Sequence, residues 1–143
     1  MKKILPLCFL IASIVLMALP FGVAISYYSN PPNLETVTSY YSYFDTFTVG
    51  ASGNVFPSMI AFFTIGLVIG YSIGLIRKTT VTKKSTIILV GIIFLVLPLA
   101  SVLSWVLFNS ISVVGVIIFV LHVATLILLL IETKSRLAKK EKY

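Results

Sequence analysis

The basic residues of this chain occur in a pattern that defines a membrane topology. All eleven lysine and arginine residues fall into three short clusters, which alternate with long apolar segments. The remaining long connection, residues 27–55, contains neither lysine nor arginine. Because cytoplasmic segments next to membrane spans are rich in Lys and Arg, the three clusters mark one side of a membrane and the bare connection marks the other. The clusters are Lys2 and Lys3; Arg77, Lys78, Lys83 and Lys84; and Lys134, Arg136, Lys139, Lys140 and Lys142.

Four apolar runs separate these clusters, and they cover residues 4–26, 56–76, 86–108 and 111–131. Each run reaches the roughly 20 helical residues that are needed to cross the hydrocarbon core of a bilayer. The chain has 59% hydrophobic and 10% charged residues, whereas a soluble domain carries about 25% charged residues. The sequence therefore predicts an all-α membrane protein of one domain: a four-helix transmembrane bundle, N-in and C-in, with cytoplasmic segments 77–85 and 132–143.

The first run has a second interpretation. Lys2 and Lys3 precede an apolar stretch, and Gly22-Val23-Ala24 resembles the small-residue cleavage site of a secretory signal peptide. The apolar stretch is about 22 residues long, which is enough for a retained span. We favour a retained first span, and cleavage stays open as the alternative.

The outer connection, residues 27–55, is predicted to form a small β-like cap on the extracytoplasmic side. Residues 36–49 are rich in Thr, Val, Tyr and Phe with a partial alternation of period two, which favours a short strand or hairpin. Aromatic residues dominate interface hot spots, so this segment is a candidate interaction surface, although aromatic side chains also rest on lipid headgroups. The candidate residues are Tyr40, Tyr41, Tyr43, Phe44, Asp45 and Phe47. For Asp45, a turn or solvated carboxylate is favoured over a cation site or a partner contact.

The second run contains glycines at every fourth position, Gly66, Gly70 and Gly74. Residues four apart share a helix face, so the glycines predict a flat stripe that a neighbouring helix can approach closely. Tight packing within the monomer is the favoured interpretation. An interface with a second copy or with another membrane protein is the alternative.

His122 is the only histidine and the only ionisable residue deep inside a predicted span, which makes it a candidate functional residue. At helical spacing, Ser112 and Thr125 lie on the same side of the fourth run and form a candidate polar site with it. A neutral imidazole also joins helices by hydrogen bonds. Structural packing is the favoured role, and a proton or ligand site is the alternative.

Several classes of function are disfavoured. The formal net charge of +7 is explained by topology and by attraction to anionic headgroups, worth about 1 kcal/mol per basic residue, so no nucleic-acid partner is expected. The sequence has no His-Glu-x-x-His, cysteine pair, Walker A or Gly-x-Ser-x-Gly motif. We therefore expect no cofactor, no metal and no enzymatic activity.

The leading hypothesis is an accessory or interaction subunit that binds a membrane-protein partner or a second copy in the bilayer. The alternative is a small oligomeric transporter or channel with His122 in a polar path.

Four spans with both termini inside, a long β-like first outer loop and a tight second outer turn resemble the layout of claudin-type tetraspan proteins. That family carries a Trp-Gly-Leu-Trp and paired-Cys signature in its first loop, and this loop has no Trp and no Cys. The resemblance therefore implies the layout and no functional residue.

The segment Tyr41-Ser42-Tyr43-Phe44-Asp45, followed by a glycine-containing entry to the second run, is similar to small uncharacterised four-span bacterial membrane proteins. This similarity implies a bacterial cytoplasmic membrane.

Overall fold

The computed structural model describes residues 4–28, 36–45, 55–76, 84–108 and 111–140. These residues form four helices and a small antiparallel sheet of two strands. In chain order the elements are α1 (Leu5–Met17), β1 (Val23–Tyr28), β2 (Thr36–Tyr41), α2 (Phe56–Ile76), α3 (Lys84–Phe108) and α4 (Val113–Lys140). The protein is mostly helical, and α2 has the same bounds as the second apolar run of the sequence.

The four helices pack as a ring. Each helix contacts its neighbour in the chain, and α1 also contacts α4, so that α2 and α4 occupy opposite corners. Neighbouring helices are antiparallel: Phe56 at the start of α2 contacts Phe108 at the end of α3, with ring centroids 6.1 Å apart. Trp105 near the end of α3 contacts Phe119 in the first half of α4, at 5.3 Å. The end of the bundle that carries the sheet is called the hairpin end below.

The first apolar run does not form one long helix, so the expected span over 4–26 is wrong in its second half. Helix α1 ends at Met17, and Val23–Tyr28 is a strand. Pro20 ends the helical pattern because it lacks an N–H and restricts the residue before it. The residues that follow are mainly β-branched and aromatic, which favours a strand. With 13 residues, α1 is about 20 Å long, less than the thickness of a hydrocarbon core.

The sheet also differs from the expectation in its pairing. Strand β2 lies inside the predicted segment 36–49, but its partner is β1, from the former first span, rather than another part of the outer connection. Val23 is opposite Tyr41, and the hydroxyls of Ser26 and Thr38 lie 3.0 Å apart across the strands. The first apolar run therefore supplies both a helix and half of the cap.

Two of the described helices are long and apolar enough to cross a membrane, where the sequence predicted four. They are α2, over Phe56–Ile76, and α4, over Val113–Ile131. Only 22% of the apolar 18-residue window in each is buried inside the protein, unlike a core helix of a soluble domain. The other apolar helical segments among the described residues, Leu5–Met17 and Leu95–Phe108, are shorter.

Small polar side chains of the helices are buried in the interior of the bundle, and many large apolar side chains are exposed on its outer surface. The described part of every helix contributes buried Ser, Thr or His side chains: Ser13, Ser58, Thr64, Ser101, Ser104, His122 and Thr125. Large apolar side chains that are at least 40% exposed also occur on every helix, including Val15, Phe62, Leu99, Val106 and Val120. An exposed apolar surface of this extent is typical of a protein surrounded by lipid or by partner helices.

Candidate functional site

A polar contact crosses the interior of the bundle between the opposite helices α2 and α4. The imidazole Nε2 of His122 lies 3.2 Å from the hydroxyl of Thr64, and both side chains are fully buried. The Thr64 hydroxyl also donates a hydrogen bond to the carbonyl of Ile60, one turn earlier, at 2.7 Å. The second imidazole nitrogen, Nδ1, is buried, and no described residue forms a hydrogen bond with it. The described part of the interior therefore contains a polar pair, Thr64 and His122, in which Nδ1 has no described partner.

The other two residues of the predicted polar site, Ser112 and Thr125, are also buried, but their hydrogen bonds have other partners. The Thr125 hydroxyl donates to the carbonyl of Leu121 on its own helix, at 2.7 Å. Ser112 lies at the start of α4, where its hydroxyl accepts the backbone N–H of Gly115 at 2.9 Å and donates to the carbonyl of Gly22. Ser112 is thus the N-cap of α4 and also a link to Gly22, directly before β1. All three predicted residues are buried, and among their described hydrogen bonds only that of His122 joins α4 to another helix near the centre of the bundle.

Tyr43 closes the interior at the hairpin end. Its backbone N–H donates to the carbonyl of Met17 at the end of α1, and its carbonyl accepts the hydroxyl of Ser58 in the first turn of α2, both at 3.0 Å. Its side chain is only 3% exposed, and burial raises the pKa of its phenol above the ordinary value. The predicted interaction residue Tyr43 is therefore a buried junction of the bundle and not a docking residue.

Two glycines make room for the Tyr43 side chain. A Cβ on Gly22 would lie 2.7 Å from Cδ2 of the Tyr43 ring, and a Cβ on Gly115 would lie 3.4 Å from its hydroxyl oxygen and 3.0 Å from the Ser112 hydroxyl. The first distance is far inside van der Waals contact. Glycine is thus needed at position 22 because the ring packs directly against the backbone.

Asp45 belongs to a local turn. Its carboxylate accepts hydrogen bonds from the Ser42 hydroxyl at 2.7 Å and the Ser42 N–H at 3.3 Å, while its own N–H donates to the Ser42 hydroxyl at 3.1 Å. This reciprocal pattern is that of a capping box. It holds Tyr43 in position, so the described contacts of Asp45 agree with a turn residue rather than a cation site. Among the described residues, no three His, Cys, Asp or Glu side chains come close enough to hold a metal.

The other predicted outer-loop residues differ in exposure. Tyr40 is 54% exposed and contacts the exposed ring of Phe21 edge-on, with centroids 6.4 Å apart. Tyr41 is half-buried, and Phe44 packs against the apolar core. Phe47 lies outside the described residues. Among the described residues, the cap thus exposes the aromatic pair Phe21 and Tyr40 at its surface.

Two glycines of the α2 stripe, Gly66 and Gly70, are exposed, whereas Gly74 is half-buried. A Cβ placed on Gly66, Gly70 or Gly74 would meet no atom of the described residues within 4 Å. The buried face of α2 is formed by Pro57, Ser58, Ile60, Ala61 and Thr64. At 100° per residue, Gly66 and Gly70 point about 160° and 120° away from Thr64. The favoured prediction of tight packing within the monomer therefore has no contact behind it among the described atoms, and it stays a prediction.

No family model, curated protein or solved structure matches this chain.

Two functional residues were not singled out from the sequence. Thr64 is the partner of His122, and its signal was available: it is the one hydroxyl residue in the middle of the second apolar run. Gly22 was interpreted as part of a cleavage site. No local sequence pattern predicts that Tyr43, 21 positions later, packs on it. Long-range pairs of this kind depend on how the helices are arranged in the ring.

Proposed function

We propose that all four helices cross the membrane, with both termini in the cytoplasm and the sheet outside. Helix α3 has 25 residues and is about 38 Å long, enough to span a hydrocarbon core. Helix α1 is shorter, but it packs between α2 and α4, which both meet the span criterion. The three basic clusters all come at the chain positions opposite to the hairpin end, as expected for cytoplasmic segments.

This topology predicts which positions react from outside the cell. In a Cys8→Ser background, we expect Thr38→Cys in β2 to react with a membrane-impermeant maleimide on intact cells or right-side-out vesicles. Lys2→Cys and Lys139→Cys should react only after permeabilisation. Labelling of Lys139→Cys from outside would show that α3 does not cross, and labelling of Lys2→Cys from outside would show the same for α1.

The function that the geometry supports best is that of a non-enzymatic membrane subunit that binds a transmembrane helix of another protein through α2. The observation that carries this proposal is the open glycine stripe, Gly66, Gly70 and Gly74. In a bilayer, helices associate through close packing at small residues, since lipid tails and leucine side chains are equally apolar. A glycine stripe allows close packing where a second helix approaches, and no described atom of this chain lies within 4 Å of a Cβ placed on these glycines.

The surroundings of the stripe suit a helix as its occupant. Phe62 and Ile73 are 63% and 45% exposed. Phe62 lies one turn before Gly66, and Ile73 lies one turn after Gly70, on the same side of α2. They form ridges beside the flat glycine surface. A partner helix with small residues facing the stripe would pack its backbone against Gly66 and Gly70 and its larger side chains against these ridges.

The test is crosslinking in native membranes followed by gentle-detergent purification and mass spectrometry. We expect one protein to co-purify in a fixed ratio, and Gly70→Leu to reduce its yield by about tenfold or more, which corresponds to ~1.4 kcal/mol of binding free energy. Gly91→Leu is the matched control, because Gly91 is also a helical glycine whose Cβ position is open within 4 Å. It lies on α3, so it should keep the partner.

The outcomes separate the two candidate functions. Equal loss of the partner in both variants would contradict a specific role for the α2 stripe. Recovery of this chain alone, as an oligomer that Gly70→Leu dissociates, would favour the second candidate, an oligomeric transporter or channel. That candidate is supported by the buried His122–Thr64 pair, which places polar groups in the interior of the bundle.

A further inference from the structure

The hydrogen bonds of Thr64 determine where the proton of His122 lies. A threonine hydroxyl has one hydrogen to donate, and the Thr64 hydroxyl donates it to the carbonyl of Ile60. In its contact with His122 the hydroxyl oxygen can therefore act only as an acceptor. The 3.2 Å contact thus requires a proton on Nε2 of the imidazole.

A neutral imidazole with its proton on Nε2 has an unprotonated Nδ1, which is a hydrogen-bond acceptor. Nδ1 of His122 is buried, and no described residue donates to it. A buried polar atom without a partner costs about 1–3 kcal/mol. The arrangement is therefore most stable when something other than these side chains supplies a donor.

We infer that Nδ1 of His122 is the anchor of a binding site for one small neutral hydrogen-bond donor, and that water occupies it. A water molecule can donate one of its hydrogens to Nδ1. A metal ion would need more ligands than one imidazole, and the described residues form no group of three His, Cys, Asp or Glu side chains that could hold one. An organic cation would be buried without a counter-charge, because the buried residues that the structure describes include no carboxylate.

This inference does not depend on the partner protein proposed above, because the His122 site is inside the bundle and the glycine stripe is outside. It also gives His122 a defined chemical role, as a fixed acceptor, that a purely apolar packing residue would not have.

The experiment is nitrogen-15 NMR of the full chain in lipid bilayers, with histidine as the labelled residue. The chain has one histidine, so the spectrum contains one imidazole. We expect the tautomer with the proton on Nε2, and transfer of magnetisation from water protons to Nδ1. A proton on Nδ1 would overturn the inference, and so would an unprotonated Nδ1 that receives no magnetisation from water.

Two valine variants separate the site from general effects of hydroxyl loss. Thr64→Val removes the acceptor of the Nε2 proton, and we expect the population with the proton on Nε2 to fall. Thr125→Val removes another fully buried hydroxyl, which donates to Leu121, and we expect the His122 spectrum to stay the same. Identical His122 spectra in the Thr64→Val variant and the unmodified protein would overturn the assignment of the pair.

Discussion

Tyr43→Ala is expected to lower the free energy of unfolding by about 3–5 kcal/mol, the range for removing a large buried aromatic side chain. The ring fills the space above Gly22 and Gly115 and belongs to the apolar core with Met17 and Ile60. Alanine would leave a cavity where α1, α2 and α4 meet. The measurement is reversible unfolding in mixed micelles by titration with a denaturing detergent, followed by circular dichroism.

Tyr40→Ala provides the control for this variant. Tyr40 is also in the cap, but its side chain is 54% exposed and its described ring contact is with Phe21. We expect a loss of about 1 kcal/mol or less, the usual size for an aromatic pair at the surface. Similar effects of the two variants would show that Tyr43 does not hold the helices together.

Ser112→Ala is expected to destabilise the protein by about 2–3 kcal/mol. The change removes the N-cap of α4, which is worth about 0.5–2 kcal/mol. It also leaves the buried carbonyl of Gly22 without its donor, which adds the cost of an unsatisfied acceptor. The same unfolding titration measures the effect, and amide hydrogen exchange should increase at Gly115, whose N–H loses its partner.

Ser101→Ala is the matched comparison, since Ser101 is as deeply buried as Ser112. Its described hydrogen bond is to the carbonyl of Leu97 in its own helix, at 3.1 Å. Loss of this hydrogen bond therefore breaks no described link between two elements. Hydroxyls that bond back to their own helix add little stability, and we expect a change below about 0.5 kcal/mol. A larger loss for Ser101→Ala than for Ser112→Ala would contradict the assigned role of Ser112.

The sequence was informative where one physical requirement dominates. Crossing a bilayer demands a long run of apolar residues in helical form, and this requirement predicted α2 with its observed bounds and most of α4. It failed for the first run, where hydropathy and backbone preference disagree. Residues 23–28 are apolar enough to continue a span, but Pro20 and the β-prone residues after it favour a strand.

The candidate site was predictable only in part, because its geometry depends on helices far apart in the chain. Helical periodicity placed Ser112, His122 and Thr125 on one face, and the structure buries that face. Periodicity could not say which helix lies opposite, so Thr64 was missed. The glycine stripe shows the converse: its spacing predicts close approach of a helix, but only the structure shows that no described atom of this chain comes within 4 Å of a Cβ placed on these glycines.

The pairing of β1 with β2 would prevent proteolytic cleavage of the N-terminal segment once the sheet has formed. The peptide bond after Ala24 follows the small-residue sequence that a signal peptidase would read, yet Gly22, Val23 and Ala24 are all buried, and Ala24 is paired with Tyr40. A protease that needs an extended, accessible substrate could act only before the sheet closes. Folding would therefore compete with any cleavage at this bond, and a molecule that folds first would keep α1 as part of the bundle.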